Sequence, residues 1–136
     1  MQCTGTGSPT ILLEAGDNSS GVVGWGWVMP GLITETRTCT YDRAGLGQSS
    51  AASGCRQLDD LLGDLEALLG AASIDGPYVL VGTSGGGFLM AGFAARYPED
   101  VAGMVLVETP KALTAELYPE ILPVIACDAP DNIEHR

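Results

Sequence analysis

A strand-sized apolar run, Pro77 to Gly82, leads through a glycine-rich turn into a helix-length segment, Gly85 to Tyr97. A second strand-sized run, Gly103 to Glu108, follows. Two strands separated by a helix length do not close as a hairpin. They pair in parallel, with the helix crossing over one face of their sheet.

The preceding residues repeat this alternation. Gly5 to Pro9 reads as a turn, Thr10 to Glu14 as a short buried strand, and Ala15 to Gly21 as a polar loop flanked by glycine. Val22 to Leu32, which carries Trp25 and Trp27, is expected to be a short helix, and the threonine-rich stretch Thr36 to Tyr41 a strand. A glycine-rich loop covers Asp42 to Ser50. From Gln57 to Ala72, Leu58, Leu61, Leu62, Leu65, Leu68 and Leu69 recur at steps of three and four, with Asp59, Asp60, Asp64 and Glu66 on the other face. That spacing predicts a helix packed on a sheet by its leucine side. The predicted class is α/β: a mostly parallel sheet with helices on both faces.

Composition narrows the function classes. The chain has 136 residues, enough for one domain, with 46% hydrophobic and 17% charged residues and a net charge of -11. So acidic a chain repels phosphate backbones and anionic headgroups, which argues against nucleic-acid or lipid-surface binding. The longest apolar stretches, such as Tyr78 to Val81 and Met104 to Val107, are too short for a membrane span. Met1 to Thr4 has no basic region followed by an apolar run, so no signal peptide is expected and the compartment stays open. Cys3, Cys39, Cys55 and Cys127 show neither CxxC spacing nor paired histidines, so no metal site is expected. Cysteine count alone leaves free thiols and disulfides both open.

The chemistry concentrates where the Pro77 to Gly82 run ends. Gly82-Thr83-Ser84-Gly85-Gly86 satisfies G-x-S-x-G between a strand and a helix. A strand that turns this sharply into a helix strains the backbone at the serine and requires neighbours without bulky side chains. The turn lifts Ser84 Oγ above the sheet edge. It also leaves the amide of Gly85 at a helix N-terminus, where an unpaired N–H and the helix dipole favour a developing oxyanion. Two other readings compete: a glycine-rich turn without chemistry, and a dinucleotide site of the Rossmann type. For the second, no reading frame through these glycines gives G-x-G-x-x-G, because position 84 is serine and position 90 methionine. A phosphate-binding loop of the Walker type fails too, since no lysine follows the glycines.

Several local patterns together resemble the α/β-hydrolase superfamily, with its esterases and peroxidase-like members. Tyr41 to Ser49 (YDRAGLGQS) resembles the YDRxGxGxS loop after the family's fourth strand. Ala94 to Val107 resembles the segment from nucleophile helix to sixth strand, and Leu12 to Gly16 the strand and loop that carry the oxyanion His-Gly. The similarity runs from about residue 4 to 110, in the family's order and spacing.

The resemblance implies roles residue by residue. Ser84 matches the nucleophile that an imidazole activates and that forms an acyl-enzyme with carboxylic esters or related acyl compounds. Gly85 N–H matches one oxyanion donor. The second donor is implied at the amide of Asp17, with Gly16 as the fallback. Ala15 stands where the family has histidine, and Thr83 where histidine often precedes the nucleophile; neither change removes a backbone donor. An aspartate side chain would oppose a neighbouring oxyanion, so Asp17 is expected to point away or to be neutralised. Glu108, after the sixth strand, is a candidate for the triad acid or else a capping carboxylate, and Asp42 and Arg43 are expected to fix loop geometry. The implied partner is a small ester-like molecule, with no cofactor and no metal.

The same resemblance sets an expected extent. The family's catalytic histidine follows its eighth strand, and the chain's one histidine, His135, does not match that position. Residues 1–110 are therefore expected to be the N-terminal part of a hydrolase core, and 111–136 the start of its cap or lid. On this expectation a truncated, non-catalytic α/β unit is the alternative to a working serine hydrolase. The family's strand order also sets Cys3 beside Cys39, which implies a disulfide or a buried contact. Cys55 and Cys127 remain unassigned.

Overall fold

The computed structural model describes residues 1–17, 19–54 and 56–109. Five strands form one sheet in the order β1-β3-β2-β4-β5, where β1 is Gln2–Thr4, β2 Thr10–Glu14, β3 Thr38–Thr40, β4 Tyr78–Thr83 and β5 Val101–Val107. Only β1 runs antiparallel, against β3; the other pairings are parallel.

The helices α1 (Gly21–Trp25), α2 (Met29–Leu32), α3 (Leu58–Ala71) and α4 (Gly85–Arg96) cover both faces. Side chains alternate across a strand, so neighbours in sequence serve different cores. On one face Leu12, Leu80 and Tyr78 meet Leu62, Leu65 and Leu69 of α3 and Leu89, Met90 and Phe93 of α4. On the other, Leu13 and Ala15 meet Trp25 of α1, with Val81, Met29 and Leu32 at the margin.

The longer elements fall close to their expected bounds. In α3 Leu62, Leu65 and Leu69 are buried and Leu58, Leu61 and Leu68 half-buried against the same core, and the N-terminal end is fixed where the Gln57 amide donates to Asp60 Oδ2 at 2.9 Å. Two expectations are corrected. The helix expected over Val22 to Leu32 is divided into α1 and α2, because Gly26 caps the first and Pro30 opens the second. The strand expected over Thr36 to Tyr41 shrinks to Thr38–Thr40. All three of its residues are buried rather than alternately exposed, because the strand is covered on both faces.

Cys3 and Cys39 are register partners on β1 and β3 and are joined by a disulfide, as the strand order implied. Cys55 and Cys127 lie outside the described residues, as do residues 110–136 and His135. On β5, the outer strand of the described sheet, Met104, Val105, Leu106 and Val107 are exposed. Among the described residues no helix is long and apolar enough to cross a membrane.

Candidate active site

Ser84 occupies the single residue between β4 and α4 with φ 50° and ψ -124°, a left-handed conformation that costs a non-glycine residue about 1–3 kcal/mol. The surrounding packing enforces it. Ser84 N–H donates to Val107 O of β5 at 3.0 Å, and Gly87 N–H donates to Ser84 O at 3.0 Å. The helix therefore starts directly against the strand it leaves. A Cβ on Gly82 would come 2.6 Å from Gly86 O and 2.7 Å from Gly87 Cα, and one on Gly86 would come 2.8 Å from Glu14 O. These two close approaches are the physical content of the G-x-S-x-G spacing. The side chain that results is exposed, while Gly85 beneath it is buried.

The loop after β2 lies alongside. A Cβ on Gly16 would meet Ser84 Cβ at 3.6 Å, so this backbone borders the serine directly. The expectation that Asp17 points away is not met. Its carboxylate rests against Gly85, so closely that a Cβ on that glycine would overlap it. A carboxylate at the N-terminus of a 12-residue helix is attracted by the free amides and dipole there, which accounts for its position.

Glu108 follows β5 at the same sheet edge. Thr83 and Val107 are register partners, so Ser84 and Glu108 each stand one residue beyond the end of neighbouring strands. Glu108 is exposed and left-handed, with φ 52°. Thr109 Oγ1, one residue on, donates to Ser84 O at 3.5 Å.

Asp42 and Arg43 hold the loops, as expected. Asp42 Oδ1 accepts from Gly21 N–H at 2.8 Å and Oδ2 from Gln48 N–H at 3.1 Å, and its carbonyl accepts from Ser49 Oγ at 2.7 Å. Arg43 reaches the loop beside Ser84: Nη2 donates to Gly16 O at 2.7 Å and Asp17 O at 3.0 Å, and Nη1 to Ala15 O at 3.4 Å. The same Nη1 lies 2.9 Å from Glu14 Oε1.

In the sequence Glu14 stands only as the end of a strand. It is 2% exposed, and burial pushes its carboxyl up to about 7 against the opposing pull of Arg43 and of Tyr41. Burial also raises the Tyr41 hydroxyl, with the Glu14 charge adding to it. Glu14 Oε2 and Tyr41 Oη have no aligned hydrogen-bond partner among the described residues, although they lie close enough to influence each other's titration. The available signal was an acidic residue closing an otherwise apolar buried run, with a Tyr-Asp-Arg triplet at the end of another strand.

The chain is similar to known proteins. The chain is 36% identical over 104 residues to an uncharacterised protein of Bacillus subtilis, covering 76% of this chain and 41% of that one. It is 31% identical over 105 residues to the 2-hydroxy-6-oxo-2,4-heptadienoate hydrolase of Pseudomonas putida, covering 76% of this chain and 38% of the relative. Among solved structures, a thermophilic esterase from Thermogutta terrifontis superposes with a TM-score of 0.72 at 30% identity, over 80% of this chain and 39% of the esterase. The chain thus spans about two fifths of the length of these relatives. The model of the alpha/beta hydrolase fold family matches residues 9–127, and the chain belongs to that family.

Proposed function

We propose that the chain is the nucleophile-bearing part of a serine hydrolase acting on carboxylic esters or related acyl compounds. The observation that carries this reading is Ser84, exposed and left-handed at the junction of β4 and α4 with the Gly85 amide at the helix start. A protein keeps such strain where a side chain must stand clear of its own backbone. The names of the Thermogutta esterase and the Pseudomonas hydrolase support the reaction class.

Ser84 Oγ attacks the acyl carbon, and its proton passes to an imidazole supplied from outside the described residues. The negative charge on the carbonyl oxygen is met by the amide of Gly85 and by that of Asp17 or Gly16. The leaving alcohol takes the proton, and water then releases the acyl group from Ser84. Glu108 orients the imidazole from the neighbouring strand end. In this reading residues 1–110 form the N-terminal part of the core and 111–136 begin a cap.

The test is acyl-enzyme formation. Mixing the chain with an activated acetyl ester in the presence of free imidazole, which stands in for the base, and quenching in acid is expected to leave an acetyl group on the peptide containing Ser84. Acetylation equal in Ser84→Ala, or confined to other residues, overturns the reading in favour of a non-catalytic α/β unit.

A further inference from the structure

The guanidinium of Arg43 bridges groups that come from one short stretch of chain. It binds the Glu14 carboxylate and the carbonyl oxygens of Ala15, Gly16 and Asp17. The bridge is shielded from solvent: the Arg43 side chain is 10% exposed and that of Glu14 2%. A planar fork with five donors suits several acceptors at fixed angles, which a lysine ammonium does not reproduce.

Peptide geometry converts this grip on carbonyls into an aim for amides. In a trans peptide the C=O and the following N–H point in opposite directions. The described cis bonds precede Pro9 and Pro77, so the Ala15–Gly16 and Gly16–Asp17 bonds are trans. Carbonyls 15 and 16 turned to Arg43 leave the amides of Gly16 and Asp17 turned from it. Gly16 is the residue that borders Ser84, as its 3.6 Å Cβ approach shows. We infer that Glu14 and Arg43 are a positioning pair that holds the Gly16 and Asp17 amides toward the acyl oxygen on Ser84.

This inference rests on the proposed role of those amides as oxyanion donors, and it adds a control on them. Glu14 is the counter-ion that keeps the guanidinium seated, and its burial brings its ionisation to about 7. The groups facing it are Arg43 and Tyr41 from the end of β3 and the loop beyond, and Asp17 from its own loop; α4 meets it through Gly86. Above that pH the ion pair is complete and the loop is held. Below it the carboxyl is neutral, the fork loses its charged partner, and the loop loosens.

Amide NMR of the whole chain through neutral pH, together with the carboxyl carbon of Glu14, tests the pair. The Gly16 and Asp17 amides are expected to move with the same midpoint as the Glu14 carboxyl, near 7, and to lose that transition in Glu14→Gln. Amides that stay still, or that keep the transition in Glu14→Gln, overturn the inference. Should Glu14→Gln not fold, Arg43→Gln serves: the Glu14 midpoint is expected to rise and the two amides to stop following it. Amides that still follow Glu14 in that variant overturn the inference. A serine-directed fluorophosphonate, run in parallel with free imidazole as the base, separates the two readings. No adduct on Ser84 with the coupled titration intact removes the hydrolase reading and leaves the pair. An adduct with uncoupled amides does the reverse.

Discussion

The carboxylate of Asp17 lies against the backbone of Gly85, at the N-terminus of α4 and beside Ser84. That position is where the proposed reaction develops negative charge, so a fixed anion there opposes acylation. Replacing Asp17 with asparagine keeps the shape and the backbone donor and removes the charge. Asp17→Asn is expected to raise the rate of Ser84 modification by about tenfold, equivalent to about 1.4 kcal/mol of barrier. It is also expected to cost about 0.5 kcal/mol of stability through the lost helix-dipole interaction. Labelling kinetics and urea unfolding measure the two effects; an unchanged or slower labelling rate contradicts the electrostatic account.

Glycine substitutions separate close approach from mere helix propensity. Gly82→Ala drives a Cβ to 2.6 Å from Gly86 O, a backbone atom with no side-chain freedom to retreat. Overpacking of this kind costs about 1–3 kcal/mol. Gly63, inside α3, has nothing within 4 Å of the Cβ position. Gly63→Ala is therefore expected to stabilise the chain by about 0.5–1 kcal/mol. Unfolding midpoints of the two variants should shift in opposite directions.

Stability is expected to fall as pH rises toward neutrality. Glu14 binds its proton more tightly folded than unfolded, with its carboxyl raised from 4.5 to about 7. The stability due to its neutral form is complete below 4.5 and is lost as pH climbs to about 7. A shift of this size corresponds to about 3 kcal/mol for the group alone. Denaturant unfolding across that interval measures it, and Glu14→Gln is expected to flatten the slope.

The Cys3–Cys39 disulfide closes a loop with a sequence separation of 36. A loop of that length restricts the unfolded chain enough to contribute about 3–4 kcal/mol. Reduction, or Cys3→Ser, is expected to lower unfolding stability by that order without moving the Ser84 junction, since β1 lies at the far edge of the sheet from β5.

What could be read from the sequence followed from local constraints. The leucine spacing of α3 and the strand–G-x-S-x-G–helix junction both record packing within a few residues of themselves. The resemblance to hydrolases supplied the strand order, and with it the Cys3–Cys39 pairing. Long-range side-chain positions were harder. Nothing near Asp17 reveals that its carboxylate rests on Gly85, and nothing near Glu14 reveals that Arg43 reaches it from a different strand end. The division between α1 and α2 depends on Gly26 and Pro30 acting within an otherwise apolar stretch, which periodicity alone reads as one helix. Glu108 follows β5 at the sheet edge that carries Ser84, and its role as the acid is a proposal.

The central claim is that Ser84 is the nucleophile. The most direct measurement is peptide mapping by mass spectrometry after treating the whole chain with a fluorophosphonate in the presence of free imidazole, which stands in for the base. The account predicts one phosphonyl adduct, on the peptide containing Ser84, absent in Ser84→Ala while that variant keeps its fold. A chain that stays unmodified at Ser84, or that is labelled equally after the substitution, contradicts it.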